Sequence, residues 1–220
     1  MKEYFEDRRE AGRELAKALL EYKDSHPIVL ALPRGGVPVA FEVAKALEAP
    51  LDVLFVRKIG APGQPEFGIG AVVDGFNPQL IMNESLASLF GVTSAYVDME
   101  MARELREIER RRALYRRNAP PLDLWGRTVI VVDDGIATGG TVKAALSGVR
   151  RNTPLHLVLA VPLAPAETLE ELKPLVDRII CLITPQPFQA VGLHYRDFTQ
   201  TRDEEVIALL EAASAWTQAV

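Results

Sequence analysis

The stretch VIVVDDGIATGGTVKAAL, residues 129–146, combines an apolar run, two adjacent carboxylates, a glycine-rich turn and the start of a helical pattern. Its first four residues are all apolar, which is typical of a parallel strand covered on both faces. Ligands of open α/β sheets bind beyond the carboxyl ends of the strands. Asp133 and Asp134, which we call the acid pair, are therefore predicted at a binding edge.

The turn after the acid pair has the features of an anion site. This turn, the glycine loop, consists of Gly135, Ile136, Ala137, Thr138, Gly139, Gly140 and Thr141. Three glycines let backbone N–H groups converge, and the N-terminus of the next helix adds unpaired donors and partial positive charge. Adjacent carboxylates would repel a bare phosphate, so a ligand with both hydroxyls and a phosphate, such as a sugar phosphate, is favoured.

Three other interpretations of this stretch remain open. A nucleotide-triphosphate P-loop requires a lysine where this chain has Thr141, and the loss removes the cation for the β- and γ-phosphates. A receiver-type aspartate pair would lie on an early strand without a glycine loop. A purely structural tight turn, with Asp134 as a helix cap, is the third interpretation.

Five apolar runs of strand length recur along the chain, with helical patterns between them. The runs are IVLAL (28–32), VLFV (53–56), VIVV (129–132), LHLVLAV (155–161) and RIICLI (178–183). Helical patterns cover 37–47, 141–150 and 165–172. The alternation predicts an α/β fold with an open, doubly wound, mostly parallel sheet.

The first strand also ends in a turn that suits an anion. Pro33, Arg34, Gly35 and Gly36, which we call the PRGG loop, lie between that strand and a helix. Arg34 is a permanent cation, the glycines allow close approach of the backbone, and the helix N-terminus points at the same place. A structural turn explains the same residues equally well.

The interval 59–127 interrupts the alternation and is predicted to be an insert. It opens with GAPGQPEFGIG (60–70), which is expected to be a mobile loop rather than a helix. A charged amphipathic helix is predicted over 93–117. Its arginine cluster, interpreted as a solvated helix face, consists of Arg110, Arg111, Arg112, Arg116 and Arg117.

Composition and charge limit the classes of function. The 220 residues carry a net charge of −5, whereas a nucleic-acid partner favours a basic face, so none is expected. The single cysteine, Cys181, excludes a disulfide framework and is expected to be a buried strand residue. No segment reaches the ~20 apolar residues of a membrane span, and the charged N-terminal stretch lacks a signal-peptide core. We expect a cytoplasmic protein without a membrane partner.

The combination of strand, acid pair and glycine loop resembles the phosphoribosyl pyrophosphate (PRPP) motif of the type I phosphoribosyltransferases. The resemblance covers about 28–58 and 129–183. It implies that Asp133 and Asp134 bind the ribose hydroxyls, that residues 135–141 bind the 5′-phosphate, and that the PRGG loop binds pyrophosphate. It further implies a cis peptide bond between Pro33 and Arg34.

The same resemblance assigns further roles. Arg57 and Lys58, which follow the strand VLFV, match a basic pair that meets pyrophosphate before a mobile catalytic loop, although a basic strand end is the simpler interpretation. The catalytic residues would be Arg34, Lys58, Asp133 and Asp134. Mg²⁺ would be the cofactor, held mainly by substrate oxygens and water rather than by a protein metal site.

The tail TPQPFQAVGLHYRDFTQT contains Phe188, Tyr195 and Phe198, and loosely resembles the segment that stacks the base in 6-oxopurine phosphoribosyltransferases. Phe188 is the candidate for stacking the acceptor, and core packing is the alternative. Purine-using members commonly carry an aspartate at the position of Ala137. Because the loop is closer to the uracil type, the acceptor class stays open.

We therefore expect a single domain, with a core of about 26–58 and 128–183, an insert of about 59–127 and a hood-like tail of about 184–220. The implied function is pentosyl transfer from PRPP to a small nitrogen acceptor, with a nucleobase expected, as in nucleotide salvage. A PRPP-binding regulator without transferase activity is the alternative. A homodimer is compatible with the sequence.

Overall fold

The structure, a computed structural model, describes residues 4–75, 78–116 and 120–217. Its strands are β1 (Ile28–Ala31), β2 (Leu51–Val53), β3 (Val56–Ala61), β4 (Gln64–Val73), β5 (Gln79–Met82), β6 (Thr128–Val132), β7 (His156–Leu163) and β8 (Arg178–Ile183). Its α-helices are α1 (Arg8–Leu19), α2 (Gly36–Leu47), α3 (Glu84–Leu89), α4 (Ser94–Arg116), α5 (Gly140–Arg150), α6 (Ala166–Leu172) and α7 (Asp203–Thr217). Short 3₁₀ turns occupy Leu20–Ser25, Lys173–Leu175 and Val191–His194.

The central sheet confirms the predicted fold class. Five strands pair in the order β2-β1-β6-β7-β8, and every pairing is parallel. Alternate residues of each strand enter different cores: Val29 and Ala31 face a core shared with α1, α2 and α7, whereas Ile28 and Leu30 face one shared with α5. Helices thus cover both faces, as the continuous apolar runs indicate.

The expectation of a mobile loop at 60–70 is wrong. Antiparallel pairing of β3 with β4, and of β4 with β5, forms a second, three-stranded sheet that includes this segment. Pro62 and Gly63 form the turn between β3 and β4, and the positive φ of Gly63 suits a tight turn. Glycine and proline therefore mark the turn of a hairpin here rather than a mobile loop.

The strand predicted at 53–56 is also wrong in its extent. The central strand β2 ends at Val53, and the chain then crosses to the second sheet. The N–H of Leu54 still donates to Ala31 in β1, whereas the carbonyl of Phe55 accepts from Asp74, directly after β4. Arg57 and Lys58 consequently lie within β3 and not at the end of a central strand.

The N-terminal segment pairs with the first part of the predicted tail. Phe5 forms an isolated parallel bridge with Tyr195, and backbone bonds join Phe5 to His194 and Arg196. Phe5 and Tyr195 are buried in a small third core, together with Ala11 of α1 and Leu163 of β7. The predicted tail thus packs on α1 and on the carboxyl end of β7; its residues 218–220 lie outside the described residues.

Close packing of α1 on α2 should depend on Gly12. A Cβ at Gly12 would lie 2.6 Å from the carbonyl oxygen of Val39, a backbone atom that cannot move alone. We expect Gly12→Ala to lower the free energy of unfolding by about 1–3 kcal/mol in urea denaturation, despite the higher helix propensity of alanine. Gly68→Ala is the control, because nothing lies within 4 Å of its Cβ position. Equal stability of both variants would contradict the close approach of the helices.

Candidate functional site

The acid pair and the PRGG loop meet at one edge of the central sheet. They follow β6 and β1, which are adjacent and parallel with Ala31 opposite Val132. A Cβ at Gly36 would lie 2.9 Å from the carbonyl oxygen of Val132, and one at Gly35 would lie 2.0 Å from Asp134 Oδ2. No side chain fits at either position without displacing the acid pair or its strand. The structure therefore brings the PRGG loop into direct contact with the acid pair.

The acid pair is held by hydrogen bonds and lies in a poorly solvated position. Asp133 Oδ1 accepts the backbone N–H of Asp134 at 2.9 Å. Asp134 Oδ2 accepts from Arg8 Nε at 2.7 Å, and the carbonyl of Asp134 accepts from the Tyr195 hydroxyl at 2.5 Å. Burial, followed by the neighbouring Asp134 charge, raises the pKa of Asp133 well above its usual value. Burial also raises the pKa of Asp134, although Arg8 opposes this shift.

The glycine loop presents an open backbone in front of α5. Gly139 adopts φ +73° immediately before the helix, a conformation that favours glycine, and no heavy atom lies within 4 Å of the Cβ position of Gly140. Thr138 and Thr141 are exposed. The hydroxyl of Thr168 in α6 donates to the carbonyl of Ala137 at 3.0 Å and anchors the loop from behind. The arrangement is suited to binding an anion at the N-terminus of α5.

The PRGG loop has the predicted cis peptide bond between Pro33 and Arg34. The N–H of Gly36 donates to the carbonyl of Leu32, and α2 begins at Gly36. The Arg34 guanidinium lies 3.6 Å from the carboxylate of Asp203, the first residue of α7. Asp203 also accepts a short hydrogen bond from the Tyr115 hydroxyl. Arg34 is thus a half-exposed cation facing a single carboxylate.

Arg57 and Lys58 do not act as a pair in the structure. As successive residues of β3 they point to opposite faces of the second sheet. Arg57 Nε donates to Glu104 Oε2 in α4 at 2.7 Å, and Glu104 is almost fully buried. Burial raises the pKa of Glu104, but the bonds from Arg57 and Arg103 outweigh it, and the net shift is downward. Lys58 is exposed.

Phe188 stacks on His194, with ring centroids 6.1 Å apart and an angle of 19° between the planes. One face of the predicted acceptor-stacking ring therefore meets a side chain of the protein. A cavity of about 680 Å³ lies beside this pair and is lined by residues such as Phe5, Leu182, Gln186 and His194. The described residues that line it include neither Asp133 nor Asp134, and no residue of the PRGG loop or the glycine loop. We therefore do not assign the cavity to the candidate site.

The arginine cluster of α4 is engaged in ion pairs. Arg110 and Arg111 both bind Glu107, and together they lower the pKa of Glu107 to about 2. Arg112 binds the buried carboxylate of Asp74. The interpretation of a solvated helix face fits the exposed Arg110 but is wrong for Arg112, which turns toward the buried Asp74. Arg117 and the side chain of Arg116 lie outside the described residues.

Arg8 is the site residue that the sequence did not indicate. It lies in a charged amphipathic helix, 126 positions from its partner Asp134, and no motif marks it among its neighbours. Packing of α1 on α2, together with the bridge between Phe5 and Tyr195, brings α1 to the acid pair. Tyr195 stands out in the sequence only as one of several aromatic residues in the tail.

The described residues offer no protein metal cage and no membrane span. No group of three or more histidine, cysteine, aspartate or glutamate side chains there could hold a metal ion. Within the same ranges, no helix combines the length and apolarity needed to cross a bilayer. Cys181 is partly buried, and burial raises the pKa of its thiol to about 11. This thiol is therefore poorly suited to be a nucleophile.

Comparison with known proteins links the chain to one family. A family model described as "Phosphoribosyl transferase domain" matches residues 2–197. Two curated Mycobacterium tuberculosis relatives, provisionally named as phosphoribosyl transferases, are each 46% identical over 209 residues. These alignments cover 95% of this chain but 47% of the relatives, so the chain spans about half the length of the curated relatives it matches.

Solved structures share the fold. TT1426 from Thermus thermophilus is 45% identical, with a TM-score of 0.82 over 94% of this chain and 97% of that chain. The AQ2163 protein from Aquifex aeolicus is 12% identical, with a TM-score of 0.50 over 84% of this chain and 78% of that chain, and shows likeness of fold alone. The first match covers nearly the whole of both chains, so most of the described fold recurs in a homologue.

The buried Asp133 carboxylate should lower stability at neutral pH. Its pKa is raised in the folded state, so the charged form destabilises the fold progressively above the ordinary aspartate value of about 4. Asp133→Asn keeps the acceptor for the Asp134 N–H and removes the charge. We expect a higher melting temperature than wild type at pH 7.5, with the difference vanishing near pH 4.

Asp134→Asn is the comparison for this prediction, because it breaks the ion pair with Arg8 and should melt below Asp133→Asn at pH 7.5. Melting curves recorded by circular dichroism across this pH range provide the measurement. A gain for Asp133→Asn that is equally large at pH 4 and pH 7.5 would mean that the buried charge is not its cause.

Proposed function

Because the chain belongs to the phosphoribosyl transferase family, we propose that it transfers ribose 5-phosphate from PRPP to a nitrogen acceptor and releases pyrophosphate. The observation that carries the proposal is the contact of the acid pair with the PRGG loop at the ends of two adjacent parallel strands. PRPP has two hydroxyls between a 5′-phosphate and a pyrophosphate. This order matches two carboxylates flanked by two anion-binding loops.

In the proposed complex, the acid pair accepts hydrogen bonds from the ribose hydroxyls. The glycine loop and the N-terminus of α5 bind the 5′-phosphate. The PRGG loop binds pyrophosphate through its backbone and Arg34. Since Glu104 already engages Arg57, we assign the second cation to the exposed Lys58.

The reaction is a displacement at C1 of the ribose. The C1–O bond to pyrophosphate breaks while a C1–N bond forms, and the proton of the acceptor nitrogen is released to water. Negative charge grows on the leaving oxygens and positive character grows on the sugar ring. The side chains named above would act by orienting the sugar and stabilising this charge separation.

Mg²⁺ fits the proposal as an ion carried by the substrate. It retains several waters and typically takes one or two carboxylates together with substrate phosphates. Substrate oxygens and water would hold most of its coordination positions, and bound Mg²⁺ would neutralise the leaving pyrophosphate. The described residues contain no cluster that would form a separate protein cage.

The acceptor is proposed to be a nucleobase, which would place the reaction in nucleotide salvage in the cytoplasm. Ala137 at the purine-type aspartate position gives no preference for a purine. Stacking of the base on Phe188 stays a prediction. Because His194 covers one face of the Phe188 ring, the base would stack on the other face.

Ligand-induced stabilisation tests whether the site recognises PRPP. A ligand at a hundredfold excess over its Kd stabilises the native state by about 2.7 kcal/mol, which corresponds to about 5–10 °C for a chain of this size. We expect this shift with PRPP and Mg²⁺, less with ribose 5-phosphate, and least with ATP or GTP. Arg34→Ala should reduce the PRPP shift to the ribose 5-phosphate value. The largest shift with ATP, and none with PRPP, would refute the proposal.

The acid pair should be required for PRPP binding but not for folding. Charge-assisted hydrogen bonds contribute about 1.5–3 kcal/mol each, so we expect the double variant Asp133→Asn/Asp134→Asn to bind PRPP at least about tenfold more weakly. Calorimetric titration measures the affinity, and circular dichroism checks the fold. Undiminished affinity in a folded double variant would remove the ribose assignment.

Pyrophosphate release from PRPP with a panel of nucleobases separates an enzyme from a binding protein. Release with one base, abolished in the double variant, identifies the acceptor. Tight PRPP binding without release for any base would instead favour the PRPP-binding regulator.

A further inference from the structure

Arg8, a residue of α1, connects the acid pair with the tail. Its Nε donates to Asp134 Oδ2 at 2.7 Å, and its Nη1 donates to the carbonyl of Thr199 at 2.8 Å. The guanidinium lies over the Phe198 ring, 3.9 Å from the centroid. The side chains of Arg8 and Asp134 are only 11% and 14% exposed. These contacts constrain the guanidinium from three directions, unlike a typical surface ion pair.

The contacts also constrain the carboxylate of Asp134. Arg8 holds Oδ2, the backbone of Gly35 lies directly against the same oxygen, and the Tyr195 hydroxyl binds the Asp134 carbonyl. With Oδ2 and the main chain fixed, the position of Oδ1 is fixed as well. An acceptor oxygen with one defined position is what recognition of a sugar hydroxyl requires.

Arg8 has an electrostatic effect on the acid pair in addition to this geometric one. The ionisable groups that face Asp134 are Arg8, Asp133 and Tyr195, and among these Arg8 is the cation. Asp197 also interacts with Arg8, from the tail. Burial raises the pKa of Asp134 and Arg8 lowers it, so Arg8 favours the charged acceptor form.

We propose that Arg8 is a positioning residue of the ribose site, which holds the Asp134 carboxylate in one orientation so that its Oδ1 accepts a ribose hydroxyl. The proposal rests on the proposed function and adds α1 to the binding machinery. Arg8 acts through Asp134 and does not itself contact PRPP. Docking of α1 and of the tail is therefore part of forming the sugar site.

Arg8→Met tests the proposal against a matched control in the next position. Arg9→Met removes the same charge from the same helix, but Arg9 pairs with Glu42 and lies over Phe41, away from the acid pair. We expect calorimetric titration to show PRPP affinity about tenfold lower for Arg8→Met and within about twofold of wild type for Arg9→Met. Equal affinities of the two variants would overturn the proposal.

Dependence on pH distinguishes positioning from a general loss of structure. Without Arg8 the pKa of Asp134 rises. As the pH is lowered, PRPP affinity should therefore begin to fall at a higher pH in Arg8→Met than in wild type. Titration of PRPP itself is common to all variants. Arg8→Lys keeps the charge but not the planar fork. Its PRPP affinity should therefore lie between those of wild type and Arg8→Met, and the pH at which affinity falls should be close to that of wild type. If PRPP affinity fell at the same pH in Arg8→Met as in wild type, the result would count against the proposal.

A double-mutant cycle with Asp134→Asn tests whether Arg8 acts through this carboxylate. The double variant Arg8→Met/Asp134→Asn should bind PRPP less than about twofold more weakly than Asp134→Asn alone. A further tenfold loss would show that Arg8 contacts the ligand or acts elsewhere. If Arg8→Met does not fold, Arg8→Lys and Arg9→Lys replace the two methionine variants.

Failure of the proposed function gives a different result from failure of this inference. Wild-type protein that does not bind PRPP refutes the function. Carbon-13 NMR titration of the aspartate carboxyls without ligand still tests Arg8, because Arg8→Met should raise the pKa of Asp134 and Arg9→Met should not. An unchanged Asp134 titration would overturn the inference whatever the ligand.

Discussion

The candidate site depends on the approach of the PRGG loop to the acid pair, which only glycine permits. Pairing of β1 with β6 brings the two loops side by side, and Gly36 then lies against the Val132 carbonyl with no space for a side chain. Gly35 meets Asp134 in the same way. Any larger residue would separate the two loops, and a ligand that needs both would lose one of its binding surfaces.

This proximity has an electrostatic cost. Two adjacent carboxylates in a poorly solvated position both have raised pKa values, although Arg8 binds Asp134 and also lowers the pKa of Asp133. Such an arrangement is unfavourable for stability, and proteins retain unfavourable arrangements mainly where function requires them. The acid pair therefore differs from the ion pairs of α4, whose charges compensate one another locally.

The parts of the fold that follow from local sequence could be predicted. Continuous apolar runs indicated the parallel sheet, and the order of strand, acids, glycines and helix located the loops. The segment 60–70 was misjudged because glycine and proline are common to loops and hairpins, and pairing with β5 decides between them. The split after Val53 was missed because one apolar run, VLFV, supplies residues to both sheets. Neither choice is encoded locally.

Arg8 shows why the rest of the site was out of reach. Its position is set by a chain of tertiary contacts: the Phe5–Tyr195 bridge aligns the chain ends, the Ala11 side of α1 packs on the same core, and Phe198 supports the guanidinium. None of these contacts, which are a backbone bridge, apolar packing and a cation–π contact, has a sequence signature of its own. The motif thus locates the acid pair and the loops, whereas the N-terminal helix and the tail, which carry no motif, supply the hydrogen bonds that hold Asp134 in place.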